Sequence, residues 1–431
     1  MTDGPLAGGP PRLVKAGPSC YPLPAMASHP QAPAASDRFA FDRRVSVAIS
    51  AARLVLMAGI VTGHAMLVGD FFGLYAPGLP YPAGTAGFAA FRAALAGQGG
   101  LFDRLAFAGG LTFWSLNFSF YALSGFSLWY AVRRRGVFDL RDYFFGRFFG
   151  IYLGFAVAAL AAFAVVVGVL GHKPGEHDLN FLLLGVARAR ETMAYNDTLW
   201  FLTVLFVLYL AFPAVPALYR RLRLPGLVAL LALFTWLRLT GTLAGLSFLP
   251  TAFSFFLLGI VAADALYALG GRLRGRAGAW ILGLLAAATA AACAVRLHGL
   301  AYADVLAAGN VTYDTHALGT ASFFLILALG LLAPDGRRYG AALRTAARGT
   351  FAVYVYHYLL FQLYKHAPAF HEAVLAVTVR LPEFVRDHFL AGALLLYGVL
   401  LAGGVLYQLA FDRLLAGPLR RLFENPIALE K

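Results

Sequence analysis

The chain has 431 residues, 60% of them hydrophobic and only 13% charged, at a mean hydropathy of +0.71. Soluble domains carry about 25% charged residues, so this composition excludes an ordinary soluble protein and points to a polytopic membrane protein. The long continuous apolar blocks exclude an outer-membrane barrel, whose strands alternate in segments of about ten residues.

Residues 1–40 are rich in Pro, Ala, Gly and Ser and hold no apolar h-region. They read as a disordered cytoplasmic tail rather than a cleaved signal peptide. Cys20 lies in this tail and Cys293 in an apolar run, which implies no disulfide framework. A membrane domain is expected over 41–415 and a short cytoplasmic tail over 416–431. The fold class is all-α, a polytopic integral membrane bundle of about ten transmembrane helices. The spans are read at about 46–69, 105–132, 144–171, 199–219, 225–243, 247–269, 278–297, 316–334, 349–367 and 388–411.

The first span carries Arg53 and His64 inside an apolar run from about Val45 to Val68. Eleven residues at 100° each make three turns plus about 20°, so both side chains leave one face, about 16–17 Å apart along the axis. Ionisable residues inside a membrane are costly and default to a functional reading. A snorkelling Arg and a His bonded to a neighbouring helix are the structural alternatives. Their placement on one face favours function.

In the second span, Asn117 and Ser124 are seven residues apart and share a face that could line the cavity of His64. Ser119 and Gly125 read as helix-packing residues. The stretch that follows holds Arg133, Arg134, Arg135, Arg141 and Arg147. Membrane anchoring by positive charge accounts for most of this edge, and guanidinium forks also suit the phosphates of an anionic nucleotide donor.

With the N-terminus in the cytoplasm, 24 of the 35 Lys and Arg residues fall inside, 8 fall outside, and Arg53, Arg238 and Arg296 lie in or near spans. This is the positive-inside pattern. It accounts for the net charge of +14 and leaves nucleic-acid binding without support. The longer loops, roughly 70–104, 172–198 and 368–387, lie outside. His172, Glu176, His177 and Asp178 in the second of these match no defined metal spacing, so no metal is expected. Asp197 and Trp200 open the fourth span, Trp200 as an interfacial belt residue. His316 begins the eighth span. His357 sits among Tyr354, Tyr356 and Tyr358 in the ninth.

These stretches together resemble membrane acyltransferase family 3. Arg53 and His64 match the family's Arg–ten residues–His signature. Phe120-Tyr-Ala-Leu-Ser124-Gly125-Phe126 is similar to its Phe-Phe-x-Leu-Ser-Gly-Phe segment. Leu199-Trp200-Phe-Leu leading to Pro213, and Val353-Tyr354-Val-Tyr356-His357, are similar to its Leu-Trp-Phe-Leu and Ile-Tyr-x-x-His segments. The likeness runs from about residue 41 to 415. It departs where the family carries Arg-x-x-Arg-Ile-x-Pro, because here Arg147 is followed by Gly150 and Leu153. If that second Arg holds the donor, Arg133 to Arg135 or Arg141 must replace it, or the donor is held differently.

The resemblance implies an O-acyltransferase that takes an acyl group, most often acetyl, from cytosolic acyl-CoA to a hydroxyl of a carbohydrate or glycan. The acceptor is expected at the extracytoplasmic side of a bacterial cytoplasmic (inner) membrane, with both termini cytoplasmic. His64 is the expected general base and Arg53 the cation at the thioester oxyanion or a CoA phosphate. Arg133, Arg134, Arg135 and Arg147 are expected at the acyl-CoA donor. Asn117, Ser124, Asp197, Trp200 and His357 are expected at the acceptor. The bilayer is a partner, and the sequence admits an oligomer. The competing readings are a transporter or flippase of a glycan or small metabolite, and a non-catalytic scaffold.

Overall fold

The computed structural model describes residues 20–22, 35–68, 113–169, 171, 200–240, 248–270, 272–302, 311–333, 339–387 and 389–424. The order is β1 (Cys20–Pro22), α1 (Ala35–Val68), α2 (Phe113–Arg135), β2 (Val137–Asp139), α3 (Leu140–Arg147), α4 (Leu153–Gly168) and α5 (Trp200–Ala211). There follow α6 (Ala214–Thr240), α7 (Phe248–Leu269), α8 (Arg276–Tyr302), α9 (Val311–Leu332), α10 (Gly340–His366), α11 (Pro368–Thr378), α12 (Glu383–Asp387), α13 (Phe389–Phe411) and α14 (Gly417–Glu424).

Local chemistry sets several boundaries. Gly136 ends α2 in the left-handed region (φ 73°), and its N–H donates to the Val132 carbonyl at 3.0 Å, a helix stop that glycine adopts without steric cost. Asp139 caps α3, its Oδ1 accepting from the N–H of Arg141 at 2.8 Å and of Asp142 at 3.1 Å. A π turn over Phe148–Tyr152 joins α3 to α4 without breaking the rod. In α6 the chain breaks at Arg223 (φ 55°, ψ −154°), two residues before Pro225. Pro is tolerated there because it falls in the first turn of the second arm.

The molecule is an all-α membrane bundle. Among the described residues, six helices are long and apolar enough to cross a membrane: Phe41–Ala65, Leu140–Gly168, Ala214–Thr240, Leu249–Leu269, Arg276–Arg296 and Leu390–Arg421. Two shorter apolar helices cover Phe201–Ala211 and Ala317–Leu332. The expected count of ten is therefore not reached on this measure. In α2, Asn117 and the serines dilute the apolar character, and α10 carries Arg344, Arg348 and His357. The expected outer segment 368–387 folds as α11 and α12, while 70–104 and 172–198 lie outside the described residues. One part of the expected tail is ordered: β1 pairs antiparallel with β2, Tyr21 opposite Phe138. The short β2 edge offers unpaired backbone groups, which this strand satisfies.

The helix α1 is central, packing on α2, α9, α10 and α13. The α2–α7 contact is the most intimate. A Cβ at Gly259 would collide with the Ala122 carbonyl, and one at Gly125 with the Phe256 carbonyl. At the arginine-rich end of these helices lies a buried polar knot. Asp264 of α7 is ion-paired to Arg133 Nε of α2 at 3.1 Å. It accepts from Trp129 Nε1 at 3.0 Å and from the Tyr219 hydroxyl of α6 at 3.2 Å. The Arg133 guanidinium also lies over the rings of Tyr219 and Tyr267, 5.1 and 5.0 Å from their centroids.

Removing one member of a buried ion pair strands the other charge. Asp264→Ala is therefore expected to cost about 3–5 kcal/mol, and Gly259→Ala about 1–3 kcal/mol by overpacking. Thermal unfolding of the purified protein in detergent checks both. An unchanged midpoint for Asp264→Ala would contradict the role given to the knot.

Candidate active site

Two clusters sit along α1, one at each end of the Arg53–His64 segment. The helix is continuous between them, so their anchoring residues are about 16–17 Å apart along its axis.

At the upper cluster His64 is buried, with 5% exposure, and His357 of α10 is wholly buried. Their contact runs from His357 Nε2 to His64 Nδ1 at 3.1 Å. The remaining bonds fix where the protons lie. His357 Nδ1 is 2.9 Å from the Val353 carbonyl and 2.8 Å from the Tyr354 carbonyl. Carbonyl oxygens only accept, so His357 Nδ1 carries the hydrogen and, in the neutral ring, Nε2 is an acceptor. His64 Nδ1 must then donate to it, and the Ile60 carbonyl, 3.0 Å away, accepts from the same hydrogen. With both rings neutral, these contacts assign the His64 proton to Nδ1 and its lone pair to Nε2. This is the second partner that orients a catalytic imidazole, supplied here by a histidine and two backbone carbonyls rather than by a carboxylate.

Aromatic residues surround the pair. His64 meets Tyr358 edge-on at 5.5 Å, and His357 meets Tyr354 at 6.0 Å and Phe361 at 5.7 Å between centroids. Tyr354 contacts Phe201, which stacks on Tyr121 of α2 at 4.5 Å. Among the described residues the buried Tyr121 hydroxyl has no hydrogen-bond partner, and neither has Asn117 Oδ1 one turn earlier. Unpaired polar atoms in a dry interior are costly. Here two of them share the face of α2 on which half-buried Ser124 also lies. A hydroxyl-bearing ligand would satisfy both.

At the lower cluster Arg53 stands on an exposed position of α1. Tyr209 and Arg147 lie within electrostatic range of it. The Arg147 guanidinium lies over the rings of Tyr209 and Tyr143, at 5.5 and 5.9 Å. Its Nε is buried without a hydrogen-bond partner. The Tyr143 hydroxyl donates to the Tyr209 carbonyl at 2.8 Å, tying α3 to α5. Among the described residues neither Arg53 nor Arg147 meets a carboxylate. Two neighbouring guanidinium groups with no carboxylate among the described residues have the chemistry to hold an anion.

The structure separates the arginines that the sequence groups together. Arg147 joins Arg53. Arg133 is held in the Asp264 knot, and Arg134 pairs with Asp42 of α1 at 3.5 Å. Arg135 is exposed, and Arg141 lies over Phe145 at 5.6 Å. Gly150, where the resemblance expects a second Arg, is exposed with nothing near an added Cβ. Asp197 and the side chains of His316 and Trp200 lie outside the described residues, as do His172, Glu176, His177 and Asp178. Among the described residues no group of three His, Cys, Asp or Glu could hold a metal ion. Sequence reasoning missed Tyr121, Tyr143 and Tyr209. The first was detectable, since it stands four residues from Asn117 on the same face.

The acyltransferase-domain family model matches residues 46–406, a range that holds both clusters. No curated protein and no solved structure matches the chain. The match covers most of the chain, including every helix that packs on α1: the protein belongs to the membrane acyltransferase 3 family.

Proposed function

We propose that the protein moves an acyl group, in the simplest case acetyl, from acyl-CoA to a hydroxyl of a carbohydrate or glycan acceptor. The observation that carries this reading is the His64–His357 contact, in which a neutral His64 that donates from Nδ1 keeps a lone pair on Nε2. A sugar hydroxyl is a poor nucleophile at neutral pH and needs such a base.

In the proposed reaction the acceptor hydroxyl gives its proton to His64 Nε2 as its oxygen attacks the thioester carbonyl. The tetrahedral intermediate collapses, the carbon–sulfur bond breaks, and the leaving thiolate takes the proton from the imidazolium. His357, accepting from His64 Nδ1–H throughout, steadies the charged ring. Asn117 Oδ1 and the Tyr121 hydroxyl are the groups available to orient the acceptor.

The separation of the clusters favours a phosphate role for Arg53. A cation about 16–17 Å from the base along the helix axis cannot stabilise the oxyanion formed beside that base. It suits a donor phosphate instead, with Arg147 as its companion and an extended pantetheine arm reaching up α1. Donor entry is proposed from the cytoplasmic, arginine-rich end of a bacterial inner membrane, and acceptor binding from the opposite end.

His64→Ala is expected to lower acyl transfer about 10²–10⁴-fold without changing protein level or insertion. Undiminished transfer would remove His64 from the mechanism. His357→Leu should lower kcat while leaving KM for the donor nearly unchanged. His357→Gln should recover part of the rate, because its carbonyl oxygen can still accept from His64.

Arg53→Ala and Arg147→Ala are each expected to raise KM for acyl-CoA by roughly 10–100-fold, the factor for losing a charge-assisted bond worth about 1.5–3 kcal/mol. Steady-state kinetics against acyl-CoA and its dephospho analogue measures this. The variants should lose the preference for the fully phosphorylated donor. An unchanged KM with a fallen kcat would place the donor elsewhere.

A further inference from the structure

The break at Arg223 turns α6 back on itself, and the two arms enclose a cleft against α7. The cavity is about 690 Å³, within the size range of small-molecule sites. Its walls are apolar: Phe212 and Phe256 meet at 6.1 Å, and Phe234 stacks on Phe253 at 4.8 Å. Arg220 and Arg221 line one end, beside the break.

The second arm of α6 turns a largely unburied apolar side outward, with Val228, Leu233, Trp236 and Leu239 all exposed. On a membrane-spanning helix that side faces acyl chains. The cleft lies between the arms of this membrane-spanning helix and α7, and Arg220 and Arg221 stand at its end. A zwitterionic lipid brings its own cation to such a site, whereas an anionic one matches the two guanidinium groups. Basic pockets between transmembrane helices at the membrane–water boundary bind anionic headgroups in this manner.

The cleft is separate from the proposed donor path. Phe212 is fully buried and stacks on Tyr143 at 5.4 Å, and Tyr143 is the ring under Arg147. This aromatic wall keeps a thioester in the cleft away from His64. Phe212 also touches Trp129 of the Asp264 knot at 6.5 Å, so an occupant would brace the α2–α6–α7 contact.

We propose that this cleft binds one anionic phospholipid, an acyl chain lying among Phe212, Phe234, Phe253 and Phe256 and the phosphate at Arg220 and Arg221. Native mass spectrometry of the purified full chain, exchanged into mixed micelles of equal phosphatidylglycerol and phosphatidylethanolamine, tests it. Wild type should retain phosphatidylglycerol preferentially. Arg221→Ala should lower that preference about fivefold, the factor for one basic residue at a membrane surface, and the Arg220→Ala/Arg221→Ala pair should lower it further. Ala217→Trp, which fills the cleft while keeping both arginines, should also abolish retention. Equal retention of the two lipids by wild type would overturn the proposal. So would a preference that survives Ala217→Trp, which would mark surface electrostatics alone.

Discussion

The bond between His64 and His357 is the contact on which the functional architecture depends. A neutral imidazole can hold its proton on either nitrogen, and only one arrangement gives a base on the nitrogen facing a substrate. Here the choice is made by backbone carbonyls. Those of Val353 and Tyr354 take the His357 Nδ1 hydrogen, and His357 then takes the one on His64. A carboxylate would do the same work at greater cost, since burying an unpaired anion in a membrane interior is expensive. Two histidines and two carbonyls achieve the orientation without a net charge.

This contact requires α1 and α10 to be fixed relative to each other, and the packing around them does so. Tyr397 of α13 donates to the Leu54 carbonyl of α1 at 2.8 Å. A Cβ at Gly330 of α9 would strike Ala48 of α1, so α9 and α1 approach with backbones nearly touching. Small residues at such crossings substitute for the hydrophobic drive that lipid cannot supply. On the other side, the arginine-rich end of α2 is held by Asp264 and Asp42, and its Tyr121 stacks on Phe201, which meets Tyr354 beside His357. The arginines at this end of α2 thus also fix the helix against its neighbours.

Much of this was legible in the sequence. The Arg53–His64 spacing gave the face, and the apolar blocks gave the helical membrane class. The break between residues 219 and 225 was visible in Arg220-Arg221-Leu-Arg223-Leu-Pro225. What was not legible depends on partners distant in the chain. Arg133 and Arg147 look alike as cytoplasmic-edge charges, yet Asp264, 131 positions from one of them, takes the first and leaves the second beside Arg53. Tyr209 and Tyr143 read as belt aromatics until a guanidinium is found above them. His357 was singled out as a ligand for the acceptor. Its nitrogens are bonded to carbonyls and to His64, the contacts from which the proposed positioning role is argued. Periodicity reports which face a residue occupies and not which residue it meets.

The account's central claim is a statement about two protons. Nitrogen-15 spectra of the purified protein, labelled at histidine and assigned with His64 and His357 variants, report directly which ring nitrogens carry hydrogen. The account predicts that both residues are neutral and protonated at Nδ1, with an unprotonated Nε2 on His64. A His64 that is protonated at Nε2 would contradict it, because the proposed base would then have no lone pair to offer.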